Sequence, residues 1–508
     1  IAVFGYYLSS PLNWIVIFFE KSQLEIFYTV IVSLKLSLAA VTCAIFLKNR
    51  YPLLQDNIII VLAISYGLMQ YNMAQICNAM WLDGVIMLPL VLLGVYHLVQ
   101  DEKKITLMLA VGFSILFNWY TGAINCLFSV IWLIYEVLRV TEISRMNVKQ
   151  IWRYIWQYCY AMVTGVLLSC VLFVPVVCAM FGGRAGIDFS ALKEHYYWGN
   201  CFSFISRMVI GSNSEYASVS LYCGSAPVIG TIAYLLTKSP DKRKKGCNIF
   251  LLLVTISLFY VPVFILLFGL LKDVSSYWYR YSYVGIISLV AIASEFFSND
   301  LQMEERKRVL FQAWGMFAVI LLTMEYVKTV NNIVYVYVTI VAAGLFALLY
   351  FIKANARRKK LLLSGILVIA VAGELIYNAK VLNCVVEHAD DYCNYVEQEE
   401  KMIAGLKNYD TNFYRVNQTK TRNEESNNLT ANYNESLAFQ YNSVSGYTSD
   451  PDDIQRDFLD KLGYNICGDN MNIVNTSIIG ADSLMNVKYI LADYEINGLK
   501  KLEKLDAG

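Results

Sequence analysis

Long apolar runs separated by short polar stretches fill the first three quarters of this chain, and their spacing predicts its elements. A membrane-crossing helix needs roughly 17–25 mostly apolar residues at ~1.5 Å rise per residue. On that template, helices are predicted near 24–47, 57–71, 84–99, 105–119, 121–138, 156–180, 219–237, 247–271, 280–297, 309–328, 331–352 and 361–379. The shorter ones suit helices that begin at a polar cavity rather than at lipid. From about Lys380 the pattern changes to Asn, Asp, Glu, Tyr and Ser, with strand-like runs at Phe413–Gln418, Leu437–Val444 and Val487–Tyr494. The expected fold is an α-helical polytopic membrane protein with about twelve transmembrane helices over 1–379. A small mixed α/β or β-rich domain follows over 380–508, long enough for a core of its own.

Charge adds the topology. Lys48 and Arg50, then Lys103 and Lys104, then Arg139, Arg145, Lys149 and Arg153 fall in every second loop. Lys238 and Lys242 to Lys245 (with Arg243), then Arg306 to Arg308, then Lys353 and Arg357 to Lys360 keep the alternation. The intervening loops hold only Lys21, Arg184, Lys193, Arg207, Lys272 and Arg280. Short cytoplasmic loops retain Lys and Arg, so the sparsely charged loops and the C-terminal domain are expected outside. A segment from Phe181 to Ser218, with Arg184, Asp188, His195, Trp198, Asn200, Arg207 and Glu215, is long enough to hold structure there. The opening GYYLSSPLN reads as an outer loop or re-entrant turn, so an N-terminal helix and a first outer loop are expected to precede Ile1.

Composition narrows the function. The chain is 57% hydrophobic and 16% charged with a net charge of +1, and its basic residues are spread over loops, which argues against a nucleic-acid partner. Three histidines give no metal cluster, and the twelve cysteines, with no CxxC pair, read as free thiols, although Cys384 and Cys393 could bridge. Tyr6, Tyr7, Trp14, Trp119, Tyr120, Tyr277 and Trp278 suit an interfacial aromatic belt. No phosphate-cradling Gly loop, nucleophile elbow or zinc pair occurs.

Ionisable groups within apolar helices are costly and mark candidate sites. Lys35, in IVSLKLSLAA, is either a cation aimed at a phosphate or half of a structural ion pair. Asp83 opens a helix, where a carboxylate can cap the N-terminus, and with Asn72, Gln75, Asn78 and Trp81 it forms a polar, aromatic rim suited to a sugar. Asn118, Trp119 and Tyr120 interrupt two apolar runs, which a tight turn also explains. Arg280, among Tyr277, Trp278, Tyr279 and Tyr281, could grip a phosphate bidentately or belong to the belt. Glu325 and Glu374 are expected to be solvated at helix ends, and His195 reads as a lone aromatic-loop histidine.

GYYLSSPLN at 5–13, Lys35, SYGLMQYN at 65–72, WLD at 81–83, NWYTGAI at 118–124 and RYSYVGIIS at 280–288 together resemble the bacterial YfhO membrane family. So do FYRV at 413–416, VSGYTS at 444–449 and DSLMNVKYIL at 482–491, in the same order along nearly the whole chain. The resemblance implies a GT-C-like glycosyltransferase of the bacterial cell membrane. It would move sugar from a polyprenyl-phosphate donor to a cell-envelope glycopolymer such as lipoteichoic acid. It implies donor-phosphate contacts from Lys35 and Arg280, sugar contacts from Asn78, Trp81, Asn118 and Tyr120, and Asp83 in a supporting role. The catalytic base is expected in a first outer loop before Ile1. No cofactor is implied beyond a divalent metal, which the resemblance leaves open. The rival reading is a polyprenyl-linked sugar flippase or transporter; a non-catalytic envelope scaffold is a third.

Overall fold

The computed structural model describes residues 4–140, 148–180, 203–212, 219–238, 241–271, 279–326, 332–352, 356–382, 389–418, 434–444, 446, 453–464, 478–492 and 495–502. The predicted contributions of Arg184, Asp188, His195, Trp198, Asn200, Glu215, Lys272, Tyr277, Trp278 and Cys384 lie outside these residues.

A π-helical turn at Phe4–Leu8 and a 3-10 helix at Pro11–Phe18 lead into α1 (Leu24–Arg50). Next come α2 (Asp56–Gly67), α3 (Gln70–Ala74) and a 3-10 stretch at Ile76–Trp81 that delivers the chain to α4 (Leu82–Asp101). The helices α5 (Ile105–Phe117) and α6 (Trp119–Val140) are separated by Asn118 alone. They are followed by α7 (Val148–Met180), the short α8 (Ser203–Ser206) and α9 (Ser225–Leu236). A bend of 83° joins α10 (Lys242–Tyr260) to α11 (Pro262–Phe268). Pro262 lacks the N–H that would continue the helix, so the break falls there. The bundle ends with α12 (Ser282–Ser298), α13 (Met303–Tyr326), α14 (Ile333–Phe351) and α15 (Arg357–Val381).

Eight helices among the described residues are long and apolar enough to cross a membrane, nine if the bent pair is one span. Three shorter apolar helices, α5, α9 and α12, occupy the other predicted stretches. Their brevity has local causes. Asn118 caps α6 and ends α5, and α9 starts only after Val219–Gly224 has run through the interior as non-helical chain with every residue buried. Gly224, at φ +83°, makes the turn into α9. Close helix contacts use small residues, as expected where lipid offers no hydrophobic drive between helices. A Cβ on Gly94 would lie 2.6 Å from the Leu107 Cα, so α4 and α5 touch there.

The basic loops meet at one end of the bundle. Arg50 binds Glu136 through Nε and Nη2 at 2.8 and 3.0 Å, and Arg139 lies 2.7 Å from Glu295. Arg243 donates to the Arg139 carbonyl at 2.5 Å, and Arg153 pairs with Glu102. The charge alternation read from the sequence thus becomes a contact set at the Arg50 end. Glu136 and Glu295 carry no sequence signal beyond their nearness to helix ends, yet both are buried.

After the bundle come α16 (Ala389–Tyr409), β1 (Arg415–Gln418), α17 (Glu435–Ala438), α18 (Asp453–Lys461), α19 (Ile479–Leu484) and β2 (Val487–Leu491). The two strands pair in parallel. This corrects the β-rich alternative: the predicted strand at Leu437–Val444 is a helical turn followed by irregular chain, and helix exceeds strand among the described residues. The domain docks on the Lys21 end of α1. Tyr392 donates to the Lys21 carbonyl at 3.3 Å, Cys393 to the Ser22 carbonyl at 3.2 Å, and Lys21 lies 3.2 Å from Glu400.

Candidate functional site

Lys35 and Asp83 meet in the interior near the Lys21 end. The Lys35 Nζ donates to Asp83 Oδ2 at 2.8 Å and to the Ala79 carbonyl at 3.0 Å, and neither charged side chain is exposed. The other carboxylate oxygen, Oδ1, accepts from the Ser10 hydroxyl at 3.0 Å. The expected N-terminal cap at Asp83 is corrected here. Trp81 occupies the N-cap of α4, and the Asp83 carboxylate turns away to Lys35 and Ser10. The pair joins α1, the 3-10 stretch before α4 and the N-terminal segment.

Beside this pair lies an aromatic basket around Arg280. Its guanidinium carbon is 5.0 Å from the Trp81 ring and 5.5 Å from the Tyr120 ring, within cation–π range. The side chain is only half-buried, unlike Lys35, and Tyr71 Oη donates to its carbonyl at 2.6 Å. Tyr6 ties the basket together. Its hydroxyl accepts from Trp81 Nε1 at 2.9 Å, its carbonyl accepts from Asn118 Nδ2 at 2.8 Å, and its ring meets those of Trp119 and Tyr120.

The chain belongs to the YfhO family. The family model for "Bacterial membrane protein YfhO" matches residues 1–506. No curated protein and no solved structure matches the sequence. In this YfhO chain, of the seven residues to which the resemblance gives a role, Lys35, Asp83, Trp81, Arg280 and Tyr120 gather in one region, and Asn118 joins it through Tyr6. Asn118 spends both side-chain atoms on the fold: besides Tyr6, its Oδ1 accepts from the Thr121 backbone N–H at 2.9 Å and hydroxyl at 3.0 Å. Asn78 is half-buried and donates to Gln75 Oε1 at 3.0 Å.

Sequence reasoning placed Tyr6 only in an interfacial belt and did not single out Ser10, because their partners lie 75 and 73 residues away, respectively. Glu374 is a further correction. Instead of being solvated it is buried, and its Oε1 accepts from Tyr222 Oη at 2.6 Å, Ser225 N at 2.8 Å and Ser225 Oγ at 2.5 Å. It caps the start of α9, where the helix dipole favours a carboxylate. Glu325 is half-buried near the end of α13. Among the described residues no group of three His, Cys, Asp or Glu side chains converges as a metal site.

Proposed function

We propose that this protein is a GT-C-type membrane glycosyltransferase that moves a sugar from a polyprenyl-phosphate donor to a cell-envelope glycopolymer at the outer face. Twelve crossings, with the Arg50 end cytoplasmic and the Lys21 end outside, put the basket and the C-terminal domain on the same side. One observation carries the reading: Arg280, half-buried and set over the Trp81 and Tyr120 rings, sits beside a fully buried Lys35–Asp83 pair. A guanidinium recognises phosphate bidentately, and tryptophan offers a face to a sugar's C–H groups.

In this scheme Arg280 holds the donor phosphate. Lys35, already neutralised by Asp83, acts by holding the Ala79 carbonyl and so the 3-10 stretch that carries Asn78 and Trp81. The acceptor hydroxyl oxygen attacks the anomeric carbon, and the bond from that carbon to the phosphate oxygen breaks. The electron pair leaves on the polyprenyl phosphate, and the hydroxyl proton passes to a carboxylate base. Arg280 stabilises the charge that grows on the departing phosphate. Asp83, buried against Lys35, is a positioning group rather than that base. The C-terminal domain contributes to acceptor binding.

The test is sugar transfer by the full protein in liposomes, from labelled polyprenyl-phosphate sugar to extracted teichoic acid. Arg280→Ala is expected to lower kcat/KM by about 10²–10³, and Arg280→Lys to restore only part of it. Transfer untouched by Arg280→Ala removes this residue from the scheme. The buried non-helical stretch Val219–Gly224, which leads to the α9 start that Glu374 caps, favours a second reading, because unwound segments of this kind line substrate paths in transporters. Donor crossing between leaflets without transfer would establish that alternative.

A further inference from the structure

The Tyr6 hydroxyl carries a proton that no neighbouring side chain takes. Its oxygen accepts from Trp81 Nε1 at 2.9 Å, and among the described residues it donates to no acceptor. Tyr6 shares its two neighbours with Arg280. The Tyr120 ring lies 6.0 Å from the Tyr6 ring and 5.5 Å from the Arg280 guanidinium carbon. Trp81, whose N–H holds the Tyr6 oxygen, has its ring 5.0 Å from the same carbon. The phenol and the guanidinium therefore border the same part of the basket.

The turn that carries Tyr6 is pinned on three sides. Asn118 Nδ2 donates to the Tyr6 carbonyl at 2.8 Å, and the Ser9 hydroxyl lies 3.0 Å from the carbonyls of both Gly5 and Phe117. Gly5 packs so closely on α7 that a Cβ there would stand 2.4 Å from Val176 Cγ2. A π-helical turn is a rare conformation that recurs at functional sites, and here it fixes where the phenol sits.

We propose that Tyr6 is a second phosphate-binding group, its O–H donating to an oxygen of a prenyl phosphate held by Arg280. The inference rests on the phosphate role given to Arg280 above. A guanidinium has five N–H groups, so it can grip two phosphate oxygens while engaged elsewhere, leaving a third oxygen to the phenol. The hydrogen bond from Trp81 polarises the phenol and strengthens its own donation. Burial raises the Tyr6 pKa, and the Arg280 charge only partly opposes it, so the group stays protonated and serves as a donor, not as a base. A hydrogen bond to an anionic oxygen is roughly twice as strong as one to a neutral oxygen. Tyr6 therefore favours a lipid phosphate over the corresponding alcohol.

The experiment is binding of radiolabelled undecaprenyl monophosphate and of undecaprenol to the full protein in nanodiscs, beside its unfolding midpoint. The parent is expected to prefer the phosphate. Tyr6→Phe keeps the ring and should raise the phosphate Kd about 10- to 100-fold, with undecaprenol binding and the midpoint unchanged. Trp81→Phe removes the N–H but leaves the Tyr6 proton, so its loss should be smaller. Inorganic phosphate at 10 mM should not displace the lipid. An unchanged phosphate Kd in Tyr6→Phe, equal loss of both lipids, or a parent that binds no phosphate lipid overturns the proposal. So does a loss in Trp81→Phe as large as in Tyr6→Phe, which would make the link between the two rings structural. Displacement by inorganic phosphate overturns the assignment to a lipid. Tyr6-dependent phosphate binding in a protein that transfers no sugar would leave this inference standing and remove the glycosyltransferase reading.

Discussion

Lys35 and Asp83 are a pair in which each side chain makes the other tolerable in the interior. Removing one partner leaves a buried charge uncompensated, which costs about 3–5 kcal/mol. Lys35→Ala is therefore expected to lower the unfolding midpoint of the detergent-solubilised protein clearly. Lys35→Met combined with Asp83→Leu should recover most of that loss, because replacing a whole buried pair by apolar groups is often neutral. A double variant as unstable as the single one would mean that Ser10 and Ala79 depend on the charges themselves. Asp410 behaves differently, since it lies outside the membrane-spanning part. Lys488 at 2.5 Å, the Asn412 backbone N–H at 3.0 Å and Tyr489 Oη at 2.8 Å hold its carboxyl well below the usual range. A depressed carboxyl contributes stability that is fully present above its unfolded value, about 3.9, and is lost as pH falls toward the folded one. Asp410→Asn should therefore weaken the β1–β2 region at neutral pH and flatten its acid sensitivity below about pH 4, as followed by amide exchange at Val416 and Ile490.

At the scale of elements, the interruptions matter more than the helices. The bundle positions its polar residues where helices stop: Asn118 between α5 and α6, the 3-10 stretch before α4, and the non-helical run before α9. Glycine sets how closely the intervening helices approach. Gly94→Val is expected to push α4 from α5, since even a Cβ would stand 2.7 Å from the Leu107 amide nitrogen. Overpacking of this kind costs about 1–3 kcal/mol. The loss should be readable as a lower unfolding midpoint, with Gly315→Val on α13, where a Cβ meets nothing within 4 Å, as the unaffected control. Equal stability of the two variants would refute the close contact. The apolar pattern located these helices because a lipid-facing or core-facing run is continuous at any depth. It located the strands at Arg415–Gln418 and Val487–Leu491 as well, but read Leu437–Val444 as a third. That run turns out as the end of a helical turn and irregular chain, its apolar residues, among them Phe439 and Val444, packing into separate small clusters rather than onto one sheet face.

For the whole molecule, basic residues gather at the Arg50 end and the C-terminal domain meets Lys21 at the other, the arrangement on which the proposed sidedness rests. Protease added to intact cells should release fragments of the C-terminal domain and leave the 238–245 loop uncut, and the reverse pattern would invert the proposed topology. The sequence alone determined that the chain is a multi-pass membrane protein, where its helices run, and that Lys35 and Arg280 deserve suspicion. Each of these depends on composition within a single segment, where burying a charge or exposing an apolar run carries its own cost. It did not determine what the polar residues face. Lys35 could have met a ligand, but it meets Asp83, 48 residues on; Glu374 could have met water, but it meets Tyr222 and Ser225. Only the tertiary structure decides such partners, because a buried charge requires some compensation, yet which side chain supplies it depends on how distant segments are brought together.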